Sequence, residues 1–181
     1  MPVRIAWSQE LHASITALSA DAKGALTRRW LERALFELAP EAFRASGLVD
    51  EAKRFATLDC SLAAAPETVR VLEELRDCVQ KSPLWEQRSN PGCSSLRAAR
   101  QCARWLAVRF EQLVSGRSAS MKPTSSSADF GDPANGAASL LMQIALWVDV
   151  AHVNLPDDKM SSAPVAQAEL DRVRAEIAAA R

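Results

Sequence analysis

The sequence predicts an all-α fold: a single-domain multi-helix bundle of about seven helices around a buried central helix at 136–154. Three observations carry this. The chain is 48% hydrophobic with only six glycines and no tyrosine, and its periodic segments are dominated by Ala, Leu, Arg and Glu, all good helix formers. Hardly any stretch alternates apolar and polar residues with β-branched enrichment, so no strand is predicted. The segment 137–153, AASLLMQIALWVDVAHV, is apolar nearly all round, broken only by Ser139, Gln143, Asp149 and His152. A surface helix shows one apolar stripe, so this one needs cover on every side. A chain of 181 residues is long enough to supply that cover within one domain.

The elements follow in order. Leu11, Ile15 and Leu18 share one face of a first helix over 8–18. Ser19 is placed to cap a second, with Asp21 in its first turn and Leu26, Trp30, Leu31, Ala34, Leu35 and Leu38 as its inward stripe. Pro40 is suited to open a short third helix and Gly47 to end it. Residues 48–62 are predicted as a further helix with Phe55, Leu58 and Leu62 inward, and Pro66-Glu67 opens the next, striped by Val69, Leu72, Leu75 and Val79. The prolines, glycine and Asn-Pro step of 82–93 predict a loop. Ser94 or Ser95 then caps a helix with Leu96, Ala99, Ala103, Leu106, Phe110 and Leu113 at alternating three and four spacing, a packing seam that Gly116 ends. The segment 115–135, rich in serine, glycine, alanine and proline, is expected to be a flexible loop. After the central helix, Ser162 caps a last helix striped by Ala166, Leu170, Val173 and Ile177.

Charge and motifs exclude more than they assign. Lys+Arg and Asp+Glu both number 22, and that balance argues against bulk nucleic-acid binding. No long apolar run follows the arginine of MPVRIAWSQELHAS, so no signal peptide is expected. The apolar run from Ala137 is short and interrupted for a membrane span of about 20 residues. A soluble cytoplasmic protein without a membrane association is the expectation. Cys60, Cys78, Cys93 and Cys102 form no CxxC pair, and with His12 and His152 they are isolated along the chain, so neither a metal nor a cofactor is expected.

Three groups of residues carry chemistry worth weighing. Asp149 and His152 are three apart and share a helix face; a carboxylate can orient an imidazole for acid–base work, with Cys93 at a helix start as the tempting nucleophile. The plainer alternative is a local pair at a helix end. Arg97, Arg100 and Arg104 share a face of the seam helix, with Arg109 and Arg117 extending the run. They form either a surface for an acidic partner or a solvated face paired in part with Glu67, Glu73, Glu74 and Asp77. Trp85, with Arg88 beside it in the proline-bracketed loop, is either an interface anchor or a side chain folded back onto the bundle.

The stretch LSADAKGALTRRWLERALFELAPEAFRASG at 18–47 resembles the opening of small all-helical immunity proteins of bacterial polymorphic-toxin systems, and the alanine-rich helix ending Ala151-His152-Val153 is similar to a later helix of some of them. The resemblance covers under half the chain, and the long serine-rich loop and the tryptophan content depart from it. It implies a non-catalytic protein that neutralises a cognate toxin by binding it. The expected function is therefore a protein-binding module engaging a toxin or effector through Trp85, Arg88, Arg97, Arg100 and Arg104. The alternatives are a homodimer or adaptor assembled through the seams at 96–113 and 166–177, and an enzyme using Asp149 and His152.

Overall fold

The computed structural model describes residues 9–85, 92–115, 132–156 and 159–181, and among these every regular element is helical. The α-helices are α1 (Gln9–Thr16), α2 (Ala20–Arg33), α3 (Ala39–Ala45), α4 (Val49–Arg54), α5 (Ala65–Gln80), α6 (Gly92–Ser115), α7 (Pro133–Val153) and α8 (Pro164–Ala179). The all-α bundle is as the composition predicts. Residues 116–131 of the expected loop lie outside the described residues, whereas Ser115 ends α6 and Asp132 caps α7.

Ser19 caps α2 as its side chain predicts, its hydroxyl accepting the Ala22 N–H at 3.2 Å. Pro40, however, opens no separate helix. α2 runs through a π turn at Ala34–Leu38 straight into α3. Proline has no N–H, and its ring would collide with the carbonyl one α-turn back. Widening the turn, with the Ala39 N–H donating to the Ala34 carbonyl five residues earlier, accommodates the ring without a break. Gly47, at φ +80, does end α3. It lets the Leu48 N–H reach the Phe43 carbonyl at 2.9 Å and its own N–H the Arg44 carbonyl at 3.0 Å, the paired bonds of a Schellman stop.

The single helix expected over 48–62 is instead α4, a 3₁₀ turn at Phe55–Thr57 and an extended Leu58. Local side chains compete with the helix here: Thr57 donates to the Arg54 carbonyl, and the Asp59 carboxylate takes the Ser61 N–H and hydroxyl. Phe55 is buried against Phe43, but Leu62 is 57% exposed rather than inward.

α7 is the centre, packing against α1, α2, α3, α6 and α8. It starts at Pro133, four residues before the apolar run, so at 21 residues it is long and apolar enough to cross a membrane; 67% of its apolar window is buried inside this fold. Both packing seams are likewise interior. Leu96, Ala99, Ala103, Leu106, Phe110 and Leu113 of α6 are buried, as are Ala166, Leu170, Val173 and Ile177 of α8. Neither is left as a face for a second copy.

Candidate binding surface

The seam of α6 points inward, so helical geometry turns the intervening positions out. Arg97 and Arg104 are exposed on that outer face, Arg100 is half-buried, and Val108 is 56% exposed one turn on. Each of the first two arginines along the face is seated on a tryptophan. The Arg97 guanidinium lies 5.8 Å from the ring centre of Trp147 on α7, and Arg100 lies 5.5 Å from that of Trp85. Arg100 also donates to Gln80 Oε1 of α5 at 3.3 Å, and its Nε is buried without a hydrogen-bond partner. Stacking of this kind contributes about 0.5–1 kcal/mol at exposed sites. Its larger effect here is to fix where two guanidinium groups stand.

Trp85 closes a 3₁₀ turn at Pro83–Trp85 and packs against the core. It is thus folded back beneath Arg100 rather than projecting as an anchor. Arg88, and the loop stretch 86–91 that holds it, lie outside the described residues.

The acidic residues of α5 do not neutralise these arginines. Glu67 pairs with Arg70, Glu73 with Arg76, Glu74 with Arg54 and Arg70, and Asp77 with Arg76. The Asp77 carboxyl is held below the usual carboxylate range chiefly by Arg76, with Arg100 contributing least. Among the described residues Arg104 makes no ion pair. The α6 face therefore keeps positive charge that the expected neighbours have committed elsewhere.

Asp149 and His152 part company. Asp149 is buried and reaches across to α8, its two oxygens accepting the Val165 and Ala166 N–H groups at 3.0 and 2.9 Å. It caps α8 in place of Ser162, since the residue before that helix, Ala163, has no side-chain oxygen. Burial pushes its carboxyl up, against the two backbone donors that pull it down. His152 is exposed and its Nε2 meets Glu41 Oε1 of α3 at 3.1 Å. Asp149 thus orients a helix end, not the imidazole. Cys93 begins the second residue of α6, so it does not stand outside the helix start.

Other polar groups were silent in the sequence because their partners are distant along the chain. Arg33 makes a two-bond pair with buried Glu169 at 2.7 and 2.5 Å, and Trp30 donates to Glu176 at 2.6 Å, tying α2 to α8. Asn154 sits in the left-handed region at φ 54, and its side-chain oxygen takes the Ser95 hydroxyl at 2.7 Å. A cavity of about 780 Å³ between α2, the 60–62 turn and the facing ends of α6 and α7 also escaped the pattern. Among the described residues no three His, Cys, Asp or Glu side chains are grouped to hold a metal ion. No protein-family model, curated protein or solved structure matches the chain.

Proposed function

We propose that this chain is a non-catalytic protein-binding module that receives an acidic partner on the outer face of α6, and that the partner is a toxin or effector it neutralises. The observation that carries the reading is the row Arg97, Arg100 and Arg104, two of its members stacked on tryptophans and its expected counter-charges paired with other arginines. Arginine and tryptophan dominate binding hot spots because they combine contact area with directional donors. Complementary charge steers encounter and selects the partner. The immunity-type part rests on the resemblance of 18–47 and 151–153. Those two stretches meet in the fold, His152 bonding Glu41.

The test is affinity capture from the native lysate, run in parallel with the wild type and the Arg97→Glu/Arg104→Glu variant. The expected result is one companion held by the wild type, lost by the variant, and inhibited by the purified protein. A companion retained equally by both would remove the α6 face from the argument. A native gene neighbourhood without a toxin or secretion component would sink the immunity-type part.

A further inference from the structure

The geometry points to a second site: the cavity beside α2 takes a small amphipathic monocarboxylate, its chain against the apolar wall and its head toward Lys23 and Arg28. The cavity, at about 780 Å³, falls in the size range of ligand pockets, which run about 300–1,000 Å³ and are apolar with a few convergent polar groups. Leu31, Leu62, Leu113 and Val114 form its apolar wall. Leu62, 57% exposed, would gain cover from a bound chain.

Gly24 supplies the room. It lies within α2, where glycine costs about 1 kcal/mol relative to alanine, and no heavy atom stands within 4 Å of where its Cβ would be. Helix packing does not require a glycine there, and the space it leaves belongs to the cavity.

The unsatisfied polar capacity at the rim is all donor. Asp132 has one oxygen on Lys23 at 2.9 Å and the other on the Ala134 N–H at 3.0 Å. The Thr27 hydroxyl donates to the Lys23 carbonyl and the Ser61 hydroxyl to Asp59. Burial pushes the Cys60 thiol in the wall up to about 12, which leaves it uncharged. Lys23 has three ammonium protons and Arg28 two terminal amino groups. Their pairings use one Lys23 contact and the Arg28 Nε, which meets Glu32 at 2.8 Å. Spare donors facing an apolar cavity suit an acceptor-only head, and a carboxylate takes charge-assisted bonds from both cations.

Titration of the full chain with decanoate, below its micelle concentration, tests this by calorimetry and by amide chemical shifts. One saturable site is expected, with shifts centred on α2 around Gly24. Decanol, with the same chain and no charge, is expected to bind about tenfold or more weakly, the loss of one charge-assisted contact. Gly24→Leu fills the cavity and improves helix propensity, so it should abolish binding while the far-ultraviolet spectrum is unchanged. Non-saturating uptake, equal binding of decanol, or shifts away from α2 in the wild type would each overturn the proposal. None of these outcomes depends on Arg97 or Arg104, so the α6 surface stands or falls separately.

Discussion

Replacing Asp149 separates a helix cap from a catalytic carboxylate. In the wild type its two oxygens satisfy the Val165 and Ala166 N–H groups, and Ala166 is fully buried. Asp149→Ala leaves both donors without an acceptor. An unsatisfied buried group costs about 1–3 kcal/mol, and loss of a capping side chain about 0.5–2 kcal/mol, so the variant should lose about 2–4 kcal/mol. Asp149→Asn keeps one acceptor oxygen and should lose less than Asp149→Ala. Urea denaturation followed by far-ultraviolet circular dichroism measures both, the slope against denaturant staying constant if only stability changes. The pH dependence has a defined sign. Burial raises the Asp149 carboxyl above its ordinary value. A carboxyl that holds its proton more tightly when folded stabilises the fold below the ordinary aspartate pKa of about 4. That contribution is lost as pH rises through the raised value. The stability of the wild type relative to Asp149→Asn should therefore fall as pH climbs from about 4 upward. A loss under about 0.5 kcal/mol in Asp149→Ala, the range of an ordinary surface change, or a wild-type advantage that grew with pH, would refute the capping argument.

Other outcomes follow from the same contacts. Glu169→Ala leaves Arg33 half-paired in a buried setting and should cost about 3 kcal/mol, read as a lower urea midpoint. Asn154→Gly keeps the left-handed turn but loses the bonds to Ser95; Asn154→Ala also strains the backbone, so it should melt lower than Asn154→Gly by about 1–2 kcal/mol. Arg97→Glu/Arg104→Glu should leave stability within about 0.5 kcal/mol, because both side chains are exposed. Thiol labelling at mildly alkaline pH should miss Cys102, which is buried and raised, and proceed slowly at Cys60; peptide mass spectrometry locates the label.

What could be seen in the sequence was whatever a local period encodes. The three-and-four spacing of Leu96 to Leu113 announced α6, and the all-round apolarity of 137–153 announced a covered centre. Pro40 misled because proline suits a helix start locally, while the π turn that carries the chain past it depends on α7 packing beneath. Asp149 was visible as a polar break in an apolar helix, but its partners are the backbone of α8, which no side-chain pattern displays. The arginine face was legible as a stripe. Its seating on Trp85 and Trp147 was not, because those rings arrive from a turn and another helix.

The polar residues of the central helix point to where function is left to reside. Asp149 holds α8, His152 meets α3, and Asn154, just past the end of α7, joins it to α6. Each is tied into fixing one helix against the next, so none is free to act on a substrate at the core. The same fixing has a use at the surface. α6 is pinned along its whole inner seam, and the tryptophans pin Arg97 and Arg100 from outside. Ordering a long flexible side chain on binding costs about 0.5–1.5 kcal/mol. Much of that cost is already met in the free protein for these two arginines, whereas Arg104 keeps its freedom. If the α6 face binds as proposed, Trp85→Ala and Trp147→Ala should each weaken the complex without removing a direct contact, and Arg104→Ala should weaken it by losing one.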